Sequence, residues 1–157
     1  MELLFTKTGK EEHVFSCRRK DGSVTWKHIS DFFILHDLCH YIVEKELPLR
    51  NAFLGMMAAG TDIEEFDLPK EQRKIHLTAE AIFAEHLINL IVIDFTQGRM
   101  ENLIEIFTGI HDEHLNSDLL HLFTEEKLET IRNKYAELMQ QWNSLPVGQT
   151  LLLLFEE

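Results

Sequence analysis

The chain has 157 residues, 45% of them hydrophobic, with 15 Lys+Arg against 27 Asp+Glu for a formal charge of −12. That composition excludes a disordered chain and suits one domain able to bury roughly 70% of its unfolded surface. The acidic excess argues against nucleic-acid binding, which needs Lys and Arg to displace counterions from phosphates.

Residues 2–8 carry Leu3, Leu4 and Phe5 and read as a strand ending in the turn Thr8-Gly9-Lys10. Residues 13–19 alternate imperfectly, and Asp21-Gly22 supplies a two-residue hairpin turn. Residues 23–29 then place Val24, Trp26 and His28 on one face and Thr25, Lys27 and Ile29 on the other. These segments predict a three-stranded meander, with Trp26 at the edge of the core. The basic run Arg18, Arg19, Lys20 reads as solvated strand-end charge.

The middle of the chain is helical. Asp31 caps a helix over 32–47, which stops before Pro48. Residues 50–59 form a short helix ended by Gly60, and 61–68 an acidic turn. Pro69 opens a long helix from 70 to about 95, ended near Gly98. Residues 101–108 give another short helix ended by Gly109, and the histidine-rich stretch 110–118 reads as a loop. Thr124 caps a last helix over 125–143, broken by Leu145-Pro146-Val147-Gly148.

Residues 149–155 end the pattern with an apolar run of strand length. Apolar on both faces, this strand wants cover, and its simplest place is beside the first strand. The expectation is a single α+β domain over 1–157. An antiparallel sheet of about four strands, the N-terminal meander plus the C-terminal strand, packs against about five helices.

The opening residues, with an acidic second position, do not read as a signal peptide, and no stretch approaches the ~20 apolar residues of a membrane span. Cys17 and Cys39 have no metal-type spacing, and Cys39 reads as a small buried hydrophobe. The expectation is a cytoplasmic protein that meets neither membrane nor nucleic acid. Its partners would be a small-molecule substrate or a basic protein. Composition sets no oligomeric state.

One motif carries chemistry. His36-Asp37-Leu38-Cys39-His40 lies inside the first helix, with Glu44 a turn beyond. Two histidines at i, i+4 share one helical face and can reach a single metal ion. Asp37 is one methylene shorter than the glutamate of the zinc-protease motif H-E-x-x-H, which limits its reach as a general base. Glu44 lies eight residues beyond His36, about 12 Å along the axis. It suits a partner of His40 that fixes its tautomer.

A third ligand must come from elsewhere. His86 is the first candidate, on a line with Ile75, Ala79, Ile82 and Ile93. His111 and His114 come next, then His121, while His13 and His28 sit on predicted strands. The alternative for all of them is structural. Histidines on a partly apolar helix are often satisfied core residues. Met56, Met57, Phe53 and Leu54 read as core packing.

Two resemblances follow from these residues. The string His-Asp-Leu-x-His-x-x-x-Glu resembles a small family of uncharacterised bacterial α+β proteins. That likeness includes the N-terminal LLFTKT strand, the Asp-Gly hairpin, the helix ending Ala58-Ala59-Gly60 and the Leu-Pro-x-Gly turn into LLLLF. It implies the architecture but no reaction.

Locally, Ile34-Leu35-His36-Asp37-Leu38-Cys39-His40 is similar to the core motif of HD-domain metal phosphohydrolases. That likeness implies a His-Asp dyad, an upstream histidine and a downstream aspartate, here Asp94 or Asp112, around divalent metal. The predicted strands do not suit that all-helical fold.

The expected function is a divalent-metal site on His36 and His40, with zinc or manganese as cofactor. Such a site would support hydrolysis of a small or phosphorylated substrate. Asp37 would be general base or outer partner, His86 the third ligand and Glu44 the orienting group. The alternative is a non-enzymatic regulatory or protein-interaction domain with structural histidines. No P-loop, dinucleotide fingerprint or serine-hydrolase elbow is present.

Overall fold

A computed structural model describes residues 1–114 and 117–156. Strands β1 (Glu2–Thr6), β2 (Glu12–Arg18), β3 (Val24–Ser30) and β4 (Thr150–Leu154) form one antiparallel sheet in the order β3-β2-β1-β4. Alternation selects the inner face: Leu3, Phe5, Phe15, Cys17, Thr25 and Ile29 are buried. Phe5 and Phe15 are directly paired, their rings stacked 4.3 Å apart. At the β2–β3 turn Gly22 takes a φ of 86°, a region that favours glycine, and the Asp21 carboxylate accepts from the Ser23 N–H and hydroxyl.

The C-terminal strand lies beside β1, as the sequence implies. It is, however, an edge strand with one neighbour, so its apolar run is covered on one face only. Leu152 and Leu154 lie on the open face of the sheet. Trp26 shares that face and is exposed, so it is not a core-edge aromatic.

Five α-helices occur among the described residues: α1 (Asp31–Glu46), α2 (Phe53–Ala58), α3 (Ala79–Gln97), α4 (Leu103–His114) and α5 (Glu125–Ser144). Short 3-10 turns span Ile63–Phe66 and Ser117–Leu122. α1 is the central helix, packed on α3, α5 and β3, and every residue from 37 to 44 along it is buried. A helix enclosed this way hides its polar residues too. Asp37, His40 and Glu44 therefore have to find partners inside the protein.

Several local expectations are corrected. Ser30, not Asp31, is the α1 N-cap, and the Asp31 carboxylate instead meets His13 Nε2 at 2.8 Å. Pro69 opens only a turn, its carbonyl accepting from Gln72 and Arg73 N–H. The long helix begins at Ala79, where Thr78 Oγ1 accepts from Ala81 N–H and supplies a true cap. The irregular segment between Asp67 and Thr78 is thereby released to wall the site. α4 runs through Gly109 to His114, so residues 110–114 are helix rather than loop, while 115 and 116 lie outside the described residues.

Arg19 is buried rather than solvated. Its guanidinium donates to the Met57 and Thr61 carbonyls at 2.6 and 2.7 Å, tying the end of α2 to the hairpin. Cys17 and Cys39 are both free and buried. No helix among the described residues is long and apolar enough to cross a membrane.

Candidate metal centre

α1 places His36, His40 and Glu44 at successive i, i+4 positions on one face. α3 packs against that face and brings Glu85 to both histidines. His36 Nε2 lies 3.3 Å from Glu85 Oε1, and His40 Nε2 lies 3.4 Å from Glu85 Oε2. The three side chains offer one ligand atom each within 4.8 Å of one another.

The other ring nitrogens are also engaged. His40 Nδ1 donates to Glu44 Oε1 at 2.9 Å. Glu44 is fully buried and also accepts from Leu54 N–H in the first turn of α2, at 2.9 and 3.2 Å to its two oxygens. This second bond fixes the carboxylate and hence the ring. His36 Nδ1 faces Asp37 Oδ1 at 3.4 Å, while Asp37 Oδ2 is buried with no hydrogen-bond partner. The rings of His36 and His40 meet edge-on at 4.8 Å, and Phe53 packs on His40 at 4.7 Å.

The electrostatics follow from this crowding. Burial alone would lower the His40 pKa, but hydrogen bonds to Glu44 and Glu85 outweigh it and bring it up to about 9. His36 is likewise raised, burial being overcome by Asp37 and Glu85. Burial pushes Glu44 up despite the opposing pull of His40. Glu85 is half exposed and is held well below the usual carboxylate range, its desolvation outweighed by the two imidazoles.

With Nδ1–H committed to Glu44, a neutral His40 would aim its Nε2 lone pair at a carboxylate. Positive charge must lie between these groups, as two protons or as one divalent cation.

The site is open. A cleft of about 270 Å³ is lined by His36, Asp37, His40 and Glu85, with Phe33, Phe53, Phe66 and Leu77 as apolar walls and Lys27 and Arg73 among its polar ones. Among the described residues, three side chains that could hold a metal ion border this cleft, whereas structural zinc sites are closed by four protein ligands.

The structure therefore brings together His36, His40 and Glu44 as the sequence implies, and it supplies Glu85 where His86 was expected. His86 does not line the cleft and is not in the ligand group. Its expected line of Ile82 and Ile93 is not the buried stripe of α3, which runs through Ala84, Leu87, Ile88 and Ile91. Glu85 stands on the margin of that stripe, one turn from Ala81. An acidic residue there is the signal that could have found it.

His13 is buried elsewhere, between Thr8 N–H and Asp31. His28 is exposed on the sheet. His121 meets the Asp118 carbonyl. Asp94 lies nine residues along α3 from Glu85, about 14 Å away, and is bound by Arg132 at 2.6 and 2.8 Å. The side chains of His111, Asp112 and His114 lie outside the described residues.

Comparison with known proteins finds no matching family model, no matching curated protein and no matching solved structure.

Proposed function

We propose that this chain is a metal-dependent hydrolase of small substrates, with one divalent ion held by His36 Nε2, His40 Nε2 and a Glu85 oxygen. One observation carries the reading. The two nitrogens stand 3.3 and 3.4 Å from the Glu85 oxygens. Charged N–H···O hydrogen bonds are shorter, about 2.7–2.9 Å. Two ligands each about 2.0–2.1 Å from a tetrahedral zinc ion are about 3.3–3.4 Å apart. Each spacing, one to each Glu85 oxygen, is that of two ligands on one ion, and the group as a whole, within 4.8 Å, would contract slightly around it.

Charge supports the same reading. Asp37, Glu44 and Glu85 bring three formal negative charges to two imidazoles, and a divalent ion offsets two of them. Zinc fits the donor set best, and manganese is the next ion to test. The ion would supply a Lewis acid and an activated water at the fourth position. Glu44 holds His40 in the Nδ1–H tautomer. Asp37 holds His36 in the same way. Its other oxygen is buried without a hydrogen-bond partner, and the carboxylate is short for the reach of a general base, so Asp37 is assigned as a positioning residue. Glu85 doubles as ligand and as the half-exposed wall through which substrate arrives.

Elemental analysis of untagged protein purified without chelator tests the centre. We expect one zinc or manganese per chain, lost in His36→Ala and His40→Ala. Hydrolysis of a phosphoester and carboxylester panel by the loaded protein then tests the chemistry. Wild-type protein without bound metal, taking up none on titration, refutes the centre. It would leave a structural histidine cluster and an interaction domain with an acidic surface.

A further inference from the structure

The cleft over the histidines holds cations as well as acids. Only 15 of 157 residues are Lys or Arg, yet Lys27 and Arg73 both line this one cavity. They come from unrelated parts of the chain, Lys27 from β3 and Arg73 from the irregular segment before α3.

Their bonding differs in a way that matters. Lys27 Nζ is neutralised by Asp67, 3.0 Å from both carboxylate oxygens, and lies 5.5 Å from the centre of the Phe33 ring. It is a fixed part of the wall. Arg73 is anchored at one point: its Nε donates to the Leu68 carbonyl at 2.6 Å. Among the described residues its two terminal nitrogens have no hydrogen-bond or ion-pair partner, although the residue is partly buried. A guanidinium whose stem is fixed and whose fork is free is prearranged to take an oxyanion through two parallel N–H bonds. Beside it stand the apolar walls Phe33, Phe66 and Leu77.

We infer that Arg73 forms an oxyanion subsite in this cleft. The substrate class is then a small molecule that joins a carboxylate or phosphate group to an apolar body. The inference rests on the metal-centre reading for where the reacting group sits, with the anion on Arg73 and the scissile bond toward Glu85 and the histidines. A cleft of about 270 Å³ is at the small end of ligand pockets, roughly 300–1,000 Å³. It excludes polymers from full burial.

Calorimetric titration of the full chain with benzoate and with phenylphosphonate tests the subsite, with benzamide as the uncharged control. The two anions separate carboxylate from phosphorus oxyanions. Each titration is run on zinc-treated and on zinc-free protein. We expect one anion to bind and benzamide not to. Arg73→Met should weaken binding at least tenfold at unchanged zinc content, with a melting temperature within about 4 °C of wild type because only the bond to Leu68 is lost. Arg73→Lys should restore only part of it, because an ammonium lacks the fork. Failure of both anions to bind at millimolar concentration, or binding in Arg73→Met within twofold of wild type, overturns the inference. Zinc content is measured separately. If wild type holds no zinc, the metal centre fails on its own, and the Arg73 dependence in zinc-free protein still decides the subsite.

Discussion

Glu85→Gln separates a metal ligand from a salt-bridge partner. The substitution keeps the volume and one carbonyl oxygen but removes the charge. In metal-free protein Glu85 is an ion-pair partner of two imidazoles, with its side chain 48% exposed. Exposed pairs contribute about 0–1 kcal/mol, and solvent screening keeps this one at the low end. For a chain of this size 1 kcal/mol moves the melting temperature by about 2–4 °C. The metal-free variant should therefore melt within about 4 °C of metal-free wild type.

With zinc the arithmetic changes. A ligand at 100 times its Kd stabilises the folded state by about 2.7 kcal/mol, which corresponds to roughly 5–11 °C. Wild type should show that rise, and Glu85→Gln should lose most of it. Calorimetric melts of both proteins, with chelator and with excess zinc, give the four numbers. A wild type that melts alike in both conditions refutes the reasoning. So does a variant that keeps the full zinc-dependent rise.

Three further outcomes follow from the same geometry. His40 is raised from 6.5 to about 9 in the folded state, so the stability its proton contributes is full below pH 6.5 and lost as pH rises toward 9. Metal-free protein should lose melting temperature between pH 6.5 and 8.5. Zinc-loaded protein should hold its melting temperature over the same range, because its coordinated imidazoles are already neutral; parallel curves in melts across pH would contradict this. Glu44→Gln removes the charge that orients His40 while sparing an acceptor for Leu54 N–H, and zinc affinity by competition titration should fall about 10–100-fold. Gly55→Ala would set a Cβ 1.9 Å from the Arg50 carbonyl oxygen. The strain should cost about 1–3 kcal/mol, or roughly 2–12 °C in a thermal melt, because α2 must shift.

The sheet was legible because its signals are local. Asp21-Gly22 fixes a hairpin by backbone chemistry, and alternation in β1 and β2 assigns the inner face without reference to the rest of the chain. The placement of β4 beside β1 followed from its apolar run needing a neighbour. What that run could not reveal is that one neighbour suffices and that Leu152 and Leu154 stay exposed. The helix boundaries failed where two signals competed. Pro69 and Thr78 are both acceptable starts. Between them lie residues such as Lys70, Glu71 and Lys74 that never meet the core, and the bond from Ala81 N–H to Thr78 decides the matter.

The site divides along the same line. His36, His40 and Glu44 share one helix, so periodicity alone brings them together, and the predicted His40–Glu44 bond forms at 2.9 Å. The third member of the candidate group depends on how α3 is rotated against α1. One residue of error in that rotation is about 100°, enough to exchange His86 for Glu85. Starting α3 nine residues early hid the true apolar stripe and favoured the line through Ile82. Charge gives a check that spacing does not. Three imidazoles also make a competent zinc set, but a neutral third imidazole from His86 would leave a loaded centre one charge more positive than Glu85 does. Glu85 supplies a negative charge while remaining half exposed. On the proposed reading, the same residue would complete the ligand set and keep the ion within reach of substrate.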